Sequence, residues 1–126
     1  MPTQVLSAQQ ERIVIDEVER YLDLVSREFS VELPRIEVRF DLIGKTVGMY
    51  FKKRGERGIR FNPYAFAKYW QESLDDTVPH EVAHYVSDFM FGSRYIKPHG
   101  REWQSIMRFF GVEPKTRCYF DLSDIP

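Results

Sequence analysis

Apolar residues recur at helical spacing in the N-terminal part of this sequence. They follow Ser7, which forms a capping-box pattern with Gln10 three residues later. Polar and charged residues occupy the intervening positions. The pattern predicts an amphipathic helix that begins after Ser7 and is stopped by Leu33-Pro34, with a buried face formed by Val14, Val18, Tyr21, Val25 and Phe29.

A two-residue period replaces the helical period in the next segment. Apolar and charged residues alternate strictly between positions 35 and 42, which predicts a strand with one buried face. Two further short strands are predicted at 47–51 and 59–61, and the segment between them contains Gly55 and Gly58. We therefore expect a small three-stranded antiparallel sheet.

The remainder of the sequence has helical patterns. Asn62-Pro63 combines a capping residue with a proline suited to the first helical turn. A longer, mostly apolar helix extends to Phe91, and Pro79 within it requires either a kink or a new helix start near Thr77. A last helix is predicted over residues 100–110. Strands followed by helices favour an α+β fold.

Length and composition narrow the class of protein. A chain of 126 residues fits one domain, residues 1–126, and 43% apolar residues can form a core. We find neither an apolar run long enough for a membrane span nor a signal-peptide pattern, so we expect a cytoplasmic monomer that does not bind membranes. Cys118 is the single cysteine, which excludes an internal disulfide and a cysteine zinc ribbon in this sequence. We expect a buried thiol there, with a fourth metal ligand as the alternative.

The net charge of −1 conceals two basic segments. Residues 33–60 carry eight basic and three acidic side chains, and residues 91–117 carry six basic and two acidic ones. Aromatic residues are interleaved with these charges, which suits single-stranded DNA, although two solvated faces would have the same pattern. The candidate nucleic-acid contacts are Lys52, Lys53, Arg54, Arg94, Lys97 and Arg101.

The strongest chemical signal is the HExxH motif formed by His80, Glu81 and His84. Residues four apart on a helix point to the same side, so the two imidazoles can hold one metal ion. The nitrogen ligands favour Zn²⁺. Glu81 lies beside the metal, where it can take a proton from a metal-bound water. We therefore predict a single catalytic zinc ion.

A catalytic zinc site needs a third protein ligand, and two residues compete for this role. His99 is the one remaining histidine and is favoured, while Glu102 would serve if the site used two histidines and a carboxylate. Glu102 could instead orient a ligand or be solvated. The same two roles are open to Asp88, for which solvation is the favoured interpretation. Tyr95 and Tyr119 could donate a hydrogen bond to the developing oxyanion, but ordinary packing is the favoured interpretation of both. Trp103 is expected to pack beneath the site.

Three segments together resemble a known family. Val78–His84, with its HExxH motif, and Pro98–Trp103, with its His-Gly-x-x-Trp spacing, are similar to the SprT-like (Spartan-type) zinc metallopeptidases, as is Ile59–Pro63. The resemblance implies a compact zincin-type (minigluzincin-like) domain with an N-terminal helix, a three-stranded sheet, the HExxH helix and a third-ligand helix. It also implies His80, His84 and His99 as zinc ligands and Glu81 as the catalytic base.

The resemblance further implies the substrate class. Spartan-type proteases are DNA-dependent and cleave proteins crosslinked to DNA. Many members carry a cysteine-rich zinc ribbon after this domain, which we expect to be absent from residues 1–126. We therefore hypothesise a zinc endopeptidase that acts on protein substrates, with single-stranded DNA or DNA-bound proteins as partners. The alternatives are a nucleic-acid-associated module and a regulatory zinc domain without turnover.

Overall fold

The computed structural model describes residues 3–126 and begins with a long amphipathic helix, α1, Ala8–Phe29. Ser7 caps it as predicted. The Ser7 hydroxyl accepts a hydrogen bond from the backbone N–H of Gln10, and the Gln10 side-chain oxygen accepts one from the backbone N–H of Ser7. The helix ends earlier than predicted. Ser30 adopts the left-handed conformation with φ 49°, so the chain leaves the helix before Leu33-Pro34.

The sheet has three strands, β1 (Glu37–Arg39), β2 (Gly48–Lys53) and β3 (Glu56–Phe61). β2 and β3 form an antiparallel hairpin through a two-residue turn, Arg54-Gly55, in which both residues have positive φ. The strand order is β1-β3-β2, so β3 is central and β2 lies at an edge.

The prediction of a wholly antiparallel sheet is wrong for one pair, because β1 runs parallel to β3. After β1, residues 40–47 lead to β2, which lies at the opposite edge of the sheet and not beside β1. The hairpin then returns β3 into the space between β1 and β2. Alternation in the sequence reports which face of a strand is buried, but not which strand lies next to it.

Helix α2, Pro63–Lys68, starts where the Asn-Pro signal predicts. The side-chain oxygen of Asn62 accepts the N–H groups of Tyr64 and Ala65, and its amide donates to the carbonyls of Gly44 and Thr46. This buried residue therefore fixes both the helix start and the chain entering β2.

The next helical stretch contains the metal-binding motif. It comprises α3 (Trp70–Glu72), a π-turn (Ser73–Thr77) and α4 (Val78–Phe91). The π-turn places an extra residue before Pro79, which lacks an N–H and lies in the first turn of α4. Both alternatives for Pro79 are thus partly right. The helical segments follow one another without a break, as a kinked helix would, and a new α-helix begins at Val78, next to Thr77.

Helix α5, Arg101–Phe109, completes the fold. α4 lies at the centre and contacts α1, α5 and the strands β2 and β3. The largest fully buried side chains, Trp103, Tyr85, Phe61 and Phe66, come from four different elements. The predicted α+β class is confirmed. Within residues 3–126, no helix is both long and apolar enough to cross a membrane.

Candidate metal centre

Three histidine rings converge on one point beside α4. His80 and His84 lie one turn apart on α4, and His99 lies at the end of the segment that joins α4 to α5. The Nε2 atoms are separated by 3.2 Å between His80 and His84, 3.1 Å between His84 and His99, and 3.3 Å between His80 and His99. Of the metal-ligating side chains within residues 3–126, these three form the group able to hold one ion.

These distances fit a tetrahedral metal ion. Ligand nitrogens at about 2.0–2.1 Å from a tetrahedral Zn²⁺ lie about 3.3–3.4 Å from one another. Mutual hydrogen bonds are a poor alternative, because three ring nitrogens aimed at one centre cannot each direct an N–H at a neighbour's lone pair. The donor set therefore fits a cation bound by three imidazoles.

The environment of the rings favours their neutral form. Burial lowers the pKa of His84 to about 3 and that of His80 to about 4, and it also lowers the pKa of His99. The neighbouring histidines lower the pKa of His84 further, whereas the backbone of Lys115 acts in the opposite direction on His80. Neutral imidazole is the form that coordinates a metal ion.

Trp103 lies beneath the cluster, as expected. It is fully buried, and its ring centroid lies 4.9 Å from His80, 5.5 Å from His84 and 4.8 Å from His99. The indole N–H donates to the His80 carbonyl at 3.1 Å. The Gln104 amide donates to the His99 carbonyl at 3.0 Å, which ties α5 to the residue that precedes it. The third histidine is therefore held by packing and by a backbone contact.

The carboxylate of Glu81 is buried between α4 and β2. Its Oε2 atom lies 3.9 Å from the Nε2 of His80. Burial raises the pKa of Glu81 to about 8, while a hydrogen bond from the backbone of Tyr50 acts in the opposite direction. Glu81 is thus held against the outer edge of β2, close to the three imidazoles but outside their cluster.

Two cavities meet at this point. The larger, of about 890 Å³, extends from the start of α4 to the C-terminal segment 115–123. The smaller, of about 450 Å³, lies between β2 and the segment that leads to His99. Both are lined by Gly48, His80 and Glu81. Together they form a cleft that passes over the histidines on both sides of Glu81.

Several other candidates lie apart from the cluster. Glu102 is partly exposed on α5 and is outside the metal-binding group within residues 3–126. Tyr95 is 80% exposed and lines neither cavity, whereas Tyr119 is 87% exposed and lines the larger one. The expectation of a buried thiol is wrong, because Cys118 is exposed in an irregular segment that leaves α5.

The six candidate nucleic-acid contacts are all exposed. Lys52, Lys53 and Arg54 lie at the tip of the β2–β3 hairpin. Arg94 and Lys97 lie in the segment between α4 and α5, and Arg101 begins α5. The two basic segments are distant in sequence but both approach the C-terminal end of α4.

Asp88 is the polar residue that sequence reasoning misjudged. Solvation is the favoured of the two expectations for Asp88, but only 3% of its side chain is exposed. Its carboxylate accepts hydrogen bonds from the Tyr50 hydroxyl and the Ser93 backbone N–H. The signal was present in the sequence, since Asp88 lies one turn after His84 on a helix whose neighbouring positions are apolar.

Comparison with known proteins identifies the family. A family model described as the SprT-like family matches residues 16–119. The chain belongs to the SprT-like family. A search of the solved structures finds no match.

Three relatives illustrate the similarity of this SprT-like chain to longer proteins. Protein SprT of Pseudomonas aeruginosa (strain LESB58) is 41% identical over 91 residues, which are 72% of this chain and 53% of the relative. Protein SprT of Shewanella oneidensis is 32% identical over 113 residues, 89% of this chain and 70% of the relative. Protein SprT of Vibrio parahaemolyticus is 28% identical over 121 residues, which are 95% of this chain and 68% of the relative. The chain thus spans about half the length of the Pseudomonas relative.

Proposed function

We propose that this SprT-like chain is a zinc-dependent peptidase domain that hydrolyses peptide bonds in protein substrates. One observation carries the proposal: three imidazole Nε2 atoms lie 3.1–3.3 Å apart, beside the buried carboxylate of Glu81 and in the floor of an open cleft. In this arrangement His80, His84 and His99 would hold Zn²⁺. The bound ion would supply a Lewis acid for the scissile carbonyl and would acidify a water molecule.

Glu81 is the general base in this proposal. The same helix that presents the two histidines places its carboxylate beside them, and the edge of β2 restricts its rotation. A cation held by the three histidines would lower the pKa of Glu81 from its metal-free value of about 8 and so favour the ionised carboxylate. From this position the Glu81 carboxylate takes a proton from the attacking water and later delivers it to the leaving amine. Burial of the carboxylate keeps bulk water from competing for that proton.

The cleft supports a polypeptide substrate in an extended conformation. β2 is an edge strand, and the Val47 carbonyl accepts the Asn62 N–H on the β3 side. The alternation of an antiparallel ladder then places the backbone groups of Gly48, Tyr50 and Lys52 on the outer edge. The Tyr50 N–H already donates to Glu81, so Gly48 and Lys52 offer the N–H groups for a partner strand. A peptide added to this edge would pass over Glu81, with side chains entering the two cavities.

The test separates metal binding from catalysis. We expect Glu81→Gln to keep one zinc ion per chain by atomic emission and to lower the cleavage rate of fluorescently labelled casein by about 10²–10⁴-fold. Glu102→Gln, which changes an acidic residue outside the cluster, is the matched control and should cleave casein normally. Zinc binding with wild-type casein cleavage in Glu81→Gln would exclude Glu81 as the base. Zinc binding without cleavage by the wild type, with or without DNA, would favour the regulatory zinc domain.

We further propose that the domain associates with single-stranded DNA, the second candidate function. One observation favours it: Lys52 lies 3.7 Å from Asp88 Oδ1, and the same oxygen accepts the N–H of Ser93, next to Arg94. The end of β2 near the hairpin and the start of the basic α4–α5 segment are therefore neighbours, since both contact Asp88. Two basic segments brought together in this way suit a nucleic-acid backbone.

This second proposal has its own test. We expect the logarithm of the binding constant for an oligothymidylate to fall linearly with the logarithm of salt concentration. Each contact to single-stranded nucleic acid contributes about 0.7 to the magnitude of this slope. The double variant Lys53→Glu/Arg54→Glu should therefore lower the magnitude of the slope by about 1.4 or more. The matched control Arg12→Glu/Arg27→Glu changes the same number of charges on α1. Equal slopes for the wild type and the hairpin variant would remove the hairpin from the interface, and no binding at low salt would remove this function.

A further inference from the structure

The Asp88 carboxylate connects three parts of the fold. It projects from α4 one turn after His84 and is almost completely buried. Its Oδ2 atom accepts the Tyr50 hydroxyl from β2 at 2.5 Å, and its Oδ1 atom accepts the Ser93 backbone N–H at 2.8 Å. Each carboxylate oxygen thus has a hydrogen-bond donor from a different element.

Two cations complete the surroundings of this group. Lys52 Nζ lies 3.7 Å from Oδ1, and Arg57 Nε lies 3.6 Å from Oδ2. These side chains come from β2 and β3, so the charge on Asp88 is balanced from the hairpin side. A buried carboxylate with these partners is stable as an anion, whereas an unpaired one would be costly to bury.

The contact with Ser93 bears directly on the path to His99. Residues 92–100, here called the 92–100 loop, join α4 to α5 without regular secondary structure. At its start, the Gly92 N–H donates to the Asp88 carbonyl and the Ser93 N–H donates to the Asp88 carboxylate. Asp88 therefore holds the first two residues of the loop through both its backbone and its side chain.

The far end of the loop is tied to α5, where Gln104 donates its side-chain amide to the His99 carbonyl and its backbone N–H to the Gly100 carbonyl. Between the two ends the backbone hydrogen bonds are local, from Tyr95 N–H to Gly92 and from Gly100 N–H to Lys97. His99 reaches the metal cluster only if the loop leaves α4 in the right direction, because the His84–His99 distance depends on that path. A flexible exit would leave His80 and His84 in place on α4 and would leave His99 positioned by its contacts with α5 alone.

The hydrogen bond between Tyr50 and Asp88 also positions β2. The Tyr50 hydroxyl ties the edge strand to α4 through Asp88, and the Tyr50 backbone lies against Glu81. The same carboxylate therefore sets the position of the strand beside the general base and the direction of the loop that carries the third histidine. A hydrophobic residue at position 88 could fill the space but could not make these directional contacts.

We propose that Asp88 is a positioning residue of the metal centre, which holds the 92–100 loop and β2 against α4 so that His99 is prearranged for the metal ion. This inference rests on the proposed zinc site. It assigns Asp88 no contact with the metal ion or with substrate. Residues that orient metal ligands from outside the coordination sphere change metal affinity by about 10–100-fold when they are replaced.

The test measures zinc affinity by competition with a chromophoric chelator, together with the thermal stability of each metal-free variant. We expect Asp88→Ala to bind zinc about 10–100-fold more weakly than the wild type. The matched control Asp41→Ala removes a carboxylate paired with Arg60 on the sheet and should keep wild-type affinity. A lower melting temperature with wild-type zinc affinity in folded Asp88→Ala would show a purely structural role and overturn the inference.

If Asp88→Ala does not fold, two milder variants test whether Asp88 positions the metal centre. Asp88→Asn keeps an acceptor for Ser93 but loses the charge, and Tyr50→Phe loses one hydrogen bond to Asp88. We expect both to bind zinc more weakly than the wild type, and amide NMR signals of the 92–100 loop to shift in the metal-free Asp88→Asn protein. Wild-type zinc affinity in both variants would overturn the inference. Failure of the wild type itself to bind zinc would instead contradict the proposed function.

Discussion

Gly48 lies directly against Glu81. A Cβ atom at position 48 would be 3.1 Å from Cγ and 3.2 Å from Oε2 of Glu81, and 3.0 Å from a methyl group of Thr77. The backbone of β2 therefore approaches α4 more closely than a side chain at position 48 would allow. This contact fixes the distance between the proposed general base and the edge strand on which we place the substrate.

The first prediction concerns this contact. We expect Gly48→Ala to displace the Glu81 carboxylate, lower casein cleavage by about 10–100-fold and leave zinc content unchanged, because small misplacements of reacting groups are costly. Crowding should also destabilise the fold by about 1–3 kcal/mol, measured by urea unfolding. Lys53→Ala, on the same strand but outside both cavities, is the control. Normal cleavage by Gly48→Ala would show that Glu81 tolerates the shift.

The second prediction separates the two candidates for the third ligand. Replacing His99 by Ala should weaken zinc binding by more than about 100-fold, since even partners outside the coordination sphere are worth about 10–100-fold. Glu102→Ala should change it little, because Glu102 lies outside the histidine cluster. Chelator competition on the two variants measures the difference. Comparable losses in both would place Glu102 at the metal centre as well.

The third prediction concerns acid stability. Burial by itself would raise the pKa of Asp88, but hydrogen bonds from Tyr50 and Ser93 and the nearby Lys52 outweigh it and lower the pKa below its ordinary value. Because folding lowers this pKa, the ionised Asp88 carboxylate stabilises the fold. The stabilisation is complete at pH values above the pKa of an aspartate in the unfolded chain, about 3.9. This contribution is lost as the pH falls through the folded pKa.

The measurement compares metal-free wild type with Asp88→Asn. We expect the difference in free energy of unfolding between them to be constant from pH 7 to about pH 5 and to shrink below about pH 4. A difference that grew on acidification would show that the folded protein raises the pKa of Asp88.

The fourth prediction uses the exposed thiol. Cys118 lies in the segment 115–119, which is exposed and borders the larger cavity beside His80 and Glu81. The segment is anchored downstream, where the Phe120 ring stacks on Tyr69 at 4.3 Å. We expect a bulky maleimide to label Cys118 in the folded protein and to slow casein cleavage by blocking the cleft.

The pH dependence of labelling provides a further check. Partial burial raises the pKa of the Cys118 thiol, so the labelling rate should reach its maximum at a higher pH than that of a free cysteine. Cys118→Ser treated with the same reagent is the control and should retain full cleavage activity. Full activity of the labelled wild type would place the substrate away from segment 115–123.

Local signals in the sequence determined much of the fold. Ser7 with Gln10, Asn62 with Pro63, and Pro79 mark helix starts through contacts within a few residues, and all three lie where expected. The pairing of His80 with His84 is equally local, since helix geometry alone places residues four apart on one side. The sequence by itself therefore determined the helices and two of the three histidines of the candidate metal cluster.

Contacts between distant segments were decided only by the tertiary structure. The choice of His99 over Glu102, the central position of β3 and the burial of Asp88 all depend on where one element packs against another. Periodicity reports which face of an element is apolar, but it does not identify the neighbour that covers this face. For this protein the HExxH spacing determined the chemistry that is available, and packing around α4 decided which residues complete it.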